Sequence, residues 1–319
     1  MIVELPDTNA SKVQRALVKI RAEGGAVALG RVLTLVISAR VGVEEEAIEA
    51  ANDASREHPM RVIVVSRSAD PTGEVPRVDA QIRVGGDAGA SEVIVLRAFG
   101  DAGSDEEGLI TGLLLPDAPV VTWWPGDAPD VVAESPLGRI AQRRITDASA
   151  QRDSAAAVRH LAETYRAGDT DFAWTRLTLW RATLAAVLDQ PPYEPVTGVE
   201  VSGAADSPST QLLAAWLGVR LGVPVTEVLS DSSTGSSGIH GVRLVRDSGT
   251  IGLERAVPNI ATLSQPGHPT HDVSLPRRSL RDCLAEELRR LDPDELYGEV
   301  LRQGLTQLTE PSPEVLAGR

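Results

Sequence analysis

The chain has 319 residues, enough to fill two hydrophobic cores, so two domains are the default expectation. Its 31 basic and 45 acidic residues leave a formal charge of -14, which opposes binding to nucleic acid or an anionic membrane, because phosphate surfaces need a basic face. No apolar run approaches the ~20 residues that cross a bilayer, the opening MIVELPDTNA lacks the basic and apolar parts of a signal peptide, and a cytoplasmic location is expected.

Hydrophobic periodicity predicts a helix over 9–22 capped by Asn9, then a strand over 31–40 (RVLTLVISAR) and an acidic helix over 44–56. His58-Pro59 breaks the chain before Met60–Val65, a run of the kind buried in a sheet covered on both faces. Strands follow near 79–84 and 92–98, and a helix over 105–115. The Pro-bounded stretch PVVTWWPGD (119–127) is a short strand ending in two tryptophans. Successive strand residues face opposite ways, so one indole is expected in a core and the other, Trp124, outside it.

The second half predicts helices over 153–166 and 172–189 and a strand Thr197–Val201. A helix over 208–221, a strand Val225–Leu229, strands near 241–246, 250–255 and 259–264 and two terminal helices complete it. In the last, LDPDELYGEVL, Asp292 is the expected cap with Pro293 in the first turn. The fold class is α/β: two α/β domains, 1–150 and 151–319, with mixed sheets flanked by helices. The element order of the first half recurs in the second without side-chain identity, which a duplicated unit and chance alternation explain equally. SDSSTGSSG (230–238) reads as a loop and the tail from Pro311 as frayed.

Catalytic signatures are wanting. Gly25 to Arg31 has a phosphate loop's glycine spacing but no Lys-Ser/Thr pair, and no G-x-G-x-x-G follows a strand. No serine sits in G-x-S-x-G. His268, His271 and Asp272 lie in a Pro-Gly loop, a poor frame for a metal, and no metal or cofactor is expected. The triplets Glu44-Glu45-Glu46 and Asp105-Glu106-Glu107 fit first helical turns, where carboxylates complement the dipole. Cys283 is the one cysteine and sits beside a leucine stripe, so a buried thiol is expected and an intramolecular disulfide is excluded.

Two stretches suggest binding. VEVSGAADSPSTQLLAAW runs strand, glycine loop, helix, and places Gly203, Ser207, Ser209 and Thr210 where a helix start could hold an anion; ordinary capping by Ser207 explains the same letters. Aromatic residues are 3% of the chain, which makes the placement of its five tryptophans informative. In DFAWTRLTLWRATLAAVLD, Trp180 joins the apolar stripe, Trp174 and Arg181 share the neighbouring face, and Arg176 flanks the stripe. In PLGRIAQRRITDAS, Arg139, Arg143 and Arg144 follow the Trp123-Trp124 pair. These eight residues make either internal ion pairs and core or a docking face.

HPMRVIVV, LLLPDAPVVTWWPG, PLGRIAQRRITD, DFAWTRLTLWR and LRRLDPDELYGEVL, in this order along nearly the whole chain, resemble the OpcA family of actinobacteria. The resemblance implies a non-enzymatic assembly partner of glucose-6-phosphate dehydrogenase that binds the enzyme and shifts it toward its active oligomeric state. It carries no catalytic residues to this chain. Cyanobacterial members are associated with thioredoxin-linked cysteine switching, which one cysteine cannot reproduce through an internal disulfide. The competing reading is a sugar-phosphate or nucleotide sensor built on the helix start near 203–210.

Overall fold

The computed structural model describes residues 1–23, 32–68, 72–85, 92–230 and 238–308. The glycines of Gly25–Arg31, the body of the 230–238 loop and the tail from Pro311 lie outside the described residues. The described chain divides into two compact units: Met1–Asp147 with Gly168–Thr170 and Ser279–Pro293, and Ala148–Ala167 with Asp171–Arg278 and Asp294–Arg319. The expected linear division at residue 150 thus differs by two returns of the chain to unit 1.

Unit 1 is built on a mixed sheet of eight strands. These are β1 (Ile2–Leu5), β2 (Leu33–Arg40), β3 (Met60–Arg67), β4 (Arg77–Val84), β5 (Glu92–Phe99), β6 (Val120–Trp123), β7 (Arg143–Thr146) and β8 (Asp169–Asp171). They lie in the order β1-β4-β5-β3-β2-β6-β7-β8. Strands β5, β3, β2, β6 and β7 run parallel to one another, while β4 runs antiparallel to β5 and β1 to β4. Numbered by sequence, the parallel strands stand third, second, first, fourth, fifth, which is the doubly wound order. Their β-branched runs are buried along their length, as in a sheet covered on both faces: Leu35, Val36 and Ile37 in β2 and Val62 to Val65 in β3.

Helices α1 (Ala10–Glu23), α2 (Glu45–Ala54), α3 (Glu106–Thr111) and α4 (Pro136–Arg139) belong to this unit, with a later helix, Leu280–Glu287. Asn9 caps α1, its side chain accepting from the Lys12 N–H at 3.0 Å. Asp105 caps α3 through the Gly108 N–H. The helix Leu280–Glu287 carries a reciprocal Ser279–Asp282 capping box and buries Cys283.

Unit 2 has a mixed six-stranded sheet, in the order β10-β9-β11-β12-β13-β14. Its strands are β9 (Gly198–Ala204), β10 (Val225–Ser230), β11 (Ile239–Arg246), β12 (Gly249–Val257), β13 (Ile260–Ser264) and β14 (His271–Ser274). Only β9 and β10 pair in parallel; the rest form an antiparallel meander. Its helices include α5 (Ser154–Thr164), α6 (Phe172–Thr175), α7 (Thr178–Leu188) and α8 (Pro208–Leu221). The core joins Trp174, Leu177, Trp180 and Leu184 to Leu212–Leu217 and to Val201, Leu244 and Leu253 of the sheet. A parallel doubly wound sheet and an antiparallel meander are different topologies, so the recurring element order is alternation and not a repeated fold.

Three local expectations are corrected. The helix predicted over 172–189 is two helices, because the chain turns at Arg176 and Leu177. The cap of Glu295–Glu299 is Asp294, accepting from the Tyr297 N–H, and not Asp292. Strands β1, β7, β8 and β14 were not expected; they are three or four residues long, too short for a periodic signal.

Candidate functional sites

The doubly wound order fixes where unit 1 would hold a ligand: outside the C-terminal ends of β2 and β6, where the winding reverses. Arg40 ends β2, and the Trp124–Asp127 turn follows β6. The Arg40 guanidinium pairs with the Asp127 carboxylate, joining the two strand ends. After β2, in a dinucleotide site, a glycine-rich turn and a bare helix start would face a pyrophosphate. Here the turn is Val41-Gly42-Val43 and the helix begins with Glu44, Glu45 and Glu46. Glu44 is 3% exposed. Its carboxylate accepts from the Gly42 N–H at 2.6 Å and from Arg97 Nε at 2.9 Å. Burial pushes the Glu44 carboxyl up, but its own backbone N–H, Arg97 and the Gly42 N–H outweigh burial and hold it below the ordinary glutamate range. The protein's own anion therefore takes the N–H and the cation that a phosphate would need. Of the two carboxylates that follow, Glu45 is paired with Arg83 and Glu46 adds a negative charge, and these residues do not fit a dinucleotide.

Both tryptophans of the 123–124 pair are buried, Trp123 fully and Trp124 to 2% exposure. The expectation that Trp124 faces outward is corrected. Its N–H donates to Ile145 O at 2.9 Å, so the pairing with β7 runs one residue past the end of β6, and a sheet covered on both faces buries both pleat directions.

Arg143 and Arg144 sit on β7 and so face opposite ways. Arg143 Nε donates to Glu287 Oε2 at 2.7 Å, a second guanidinium nitrogen meets the same oxygen, and the third donates to Asp292 O at 2.8 Å. Arg144 Nε donates to Asp169 Oδ1 at 2.5 Å and its Nη1 to Ala141 O at 3.0 Å. Gly168 lets β8 approach: with φ at +98°, an added Cβ would lie 2.6 Å from Gln142 O and 2.9 Å from Arg144 Nη2. Arg139 stays exposed and meets Glu107 at 3.4 Å.

In unit 2, Trp174 is buried and donates from Nε1 to Asp294 Oδ2 at 2.8 Å. The Arg181 guanidinium lies 3.8 Å over its ring and Tyr297 packs on it at 5.6 Å, so indole and guanidinium meet between α6 and α7 and not along one helical face. Arg176 donates to Ser149 Oγ at 3.2 Å. Of the eight partner-binding candidates, Trp123, Trp124, Arg143, Arg144 and Trp174 are thus buried in their units, and Arg139, Arg176 and Arg181 keep exposed surface.

The start of α8 has Ser207 at the cap, but its hydroxyl caps no backbone N–H. Ser209 donates to Ala173 O at 2.9 Å. Thr210 is fully buried, and its Oγ1 lies where a Cβ on Gly203 would stand, 2.3 Å from that position. Gly203 is therefore required by the close approach of α8 to β9, and of the four anion candidates Ser207 and Ser209 line an open cavity. Sequence reasoning missed the arginines of that cavity, among them Arg255, Arg277 and Arg278; the Pro276-Arg277-Arg278 triplet was the available signal.

Among the described residues no helix is long and apolar enough to cross a membrane, and no group of three or more His, Cys, Asp or Glu is placed to hold a metal ion.

Fold and site together define a two-unit α/β protein whose first unit is of Rossmann type with a carboxylate in its phosphate position. Two family models cover most of the chain: the glucose-6-phosphate dehydrogenase subunit N-terminal domain over residues 51–163 and the corresponding C-terminal domain over 167–301. The chain belongs to the OpcA family of glucose-6-phosphate dehydrogenase assembly proteins. A search of curated proteins finds no match. Solved structures that it resembles include a mutant of KijD10, a 3-ketoreductase from Actinomadura kijaniata, at 13% identity and a TM-score of 0.49 over 86% of this chain and 96% of that one. Others are glucose-6-phosphate 1-dehydrogenase from Mycobacterium avium, at 13% identity and 0.43 over 88% and 93%, and an inositol dehydrogenase homolog from Azotobacter vinelandii, at 9% and 0.40 over 90% and 92%.

Proposed function

We propose that the chain is a non-enzymatic partner of glucose-6-phosphate dehydrogenase that binds the enzyme and promotes its active oligomeric state. The family models name the partner. The geometric observation that carries the non-enzymatic part is Glu44, whose carboxylate takes the backbone N–H and the guanidinium at the place where a doubly wound sheet would grip a dinucleotide. A chain that cannot hold the nicotinamide cofactor there has no hydride to transfer at that crevice. Activation then requires tighter binding to the active than to the inactive state of the enzyme, since equal affinity shifts no equilibrium. Arg139, Arg176 and Arg181 are the docking candidates with exposed surface. Initial rates test this directly. The chain alone should reduce no NADP with glucose 6-phosphate, and its addition should change the rate of the cognate dehydrogenase saturably; turnover that follows the chain through purification, or an enzyme indifferent to it, overturns the reading.

A further inference from the structure

At the end of β11 the strand alternation puts a cation where the core of unit 2 would continue. Val242 and Leu244 are buried in that core, and Arg246, two residues further on, takes the same face and is 7% exposed. Its Nη1 donates to Pro192 O at 3.2 Å. Its Nε is buried without a hydrogen-bond partner, and among the described residues no other group meets the guanidinium. The chain has 45 acidic residues, yet none of those described pairs with Arg246. Glu194, two residues past Pro192, commits both its oxygens to Ser248, accepting from the backbone N–H at 3.0 Å and from the hydroxyl. Arginine is almost never buried to this degree without a counter-charge, because a desolvated cation is costly until an anion answers it.

The guanidinium lines a cavity of about 30 Å³. Val187 of α7 and Ile251 of β12 give it apolar walls, and Gln190, Gln265 and His268 give it polar ones. Gln265 holds its turn through the backbone, its carbonyl accepting from the His268 N–H at 3.2 Å, which leaves the side-chain amide to donate into the cavity. One water-sized sphere needs roughly 10 to 15 Å³ of such space, so two or three small atoms fill it. A metabolite, which needs about 300 Å³ or more, does not fit.

We propose that this cavity is a binding site for a single carboxylate group, with Arg246 as its counter-charge and the Gln265 amide as a further donor. A planar carboxylate matches the planar guanidinium, and the charge-assisted hydrogen bond is the strong kind. The apolar walls keep water away from the pair and so raise its worth. Two sources carry this chemistry: a free small acid, or an acidic side chain of a polypeptide inserted from outside. The site rests on unit 2 alone and is independent of the proposed docking function, which stands if the site fails.

The experiment is the melting temperature of the full chain titrated with formate, with acetyl-glutamyl-amide, and with chloride at the same ionic strength. At ten times the dissociation constant a carboxylate should raise the midpoint by about 3 to 6 °C. A larger rise at equal concentration with the glutamyl compound identifies a carboxylate on a polypeptide, and a rise as large or larger with formate identifies a free small acid. The rise should vanish in Arg246→Met, a side chain of similar length without charge. Arg246→Lys keeps the charge and loses the planar fork, and should need about tenfold more carboxylate for the same rise. Each variant is compared with its own melting temperature in carboxylate-free buffer, and if the methionine variant does not fold the lysine variant decides. The proposal is overturned if neither carboxylate stabilises the chain up to about 100 mM, if chloride stabilises it equally, or if a folded Arg246 variant responds as the parent does.

Discussion

Glu287→Gln isolates the ion pair that ties residues 279–293 into unit 1. The glutamate and Arg143 are each about 5% exposed, and two guanidinium nitrogens converge on one carboxylate oxygen. The substitution keeps the shape but removes the charge and turns one carboxylate oxygen into an NH2 donor, so a single amide oxygen is left to accept from Arg143 or from Thr170, which meets Oε1 at 3.4 Å. Arg143 is then a buried cation without its counterion, worth about 3 to 5 kcal/mol of lost stability. For a unit of this size each kcal/mol moves the midpoint by about 2 to 4 °C, so a fall of roughly 6 to 20 °C is expected. Thermal melts followed by tryptophan fluorescence read it, because Trp123 and Trp124 lie in the same unit. The double variant Arg143→Met/Glu287→Leu should recover much of the loss, since neither charge is then left alone. A single variant that melts within about 1 °C of the parent refutes the reasoning.

Trp124→Ala should cost roughly 3 to 5 kcal/mol in urea denaturation, as truncation of a buried indole does; a loss under about 1 kcal/mol would mean that the ring is not held as described. Glu44→Gln should be less stable than the parent at neutral pH. A depressed carboxyl contributes stability above its unfolded value near 4.3 that is lost as pH falls through the folded value, so the gap should close below about pH 4. A gap that stays constant with pH contradicts this. Glu227 has the opposite sign: burial pushes its pKa up and its Oε1 has no hydrogen-bond partner among the described residues. Its ionised form is therefore a penalty above the folded pKa that vanishes below the unfolded one, and Glu227→Gln should raise the melting temperature at pH 7 and not below about pH 4. A lower melting temperature at pH 7 would contradict it.

The alternation of elements was legible because long apolar runs such as Met60–Arg67 and the stripe of Thr178–Leu188 carry their period in themselves. The start of α8 at Pro208 was legible from Ser-Pro chemistry, as was the Asn9 cap. Strand β7 was not. Its letters RRIT look like surface, and they are buried only because the answering carboxylates lie 144 and 25 residues away, at Glu287 and Asp169. The two tryptophans misled for a related reason: the pleat separates them, but a doubly wound sheet has no wet face. The arginine cavity was half legible, since Ser207 and Ser209 marked the helix start while Arg176, Arg255 and Arg278 come from distant elements that only the tertiary fold brings to it.

Light-scattering mass of the cognate glucose-6-phosphate dehydrogenase, eluted alone and then with this chain at micromolar concentration, tests the assembly account most directly. A larger, co-eluting species containing both chains, with the enzyme's oligomer distribution shifted toward its active form, is the predicted result. Two independent peaks, each at the mass it has alone, would contradict it.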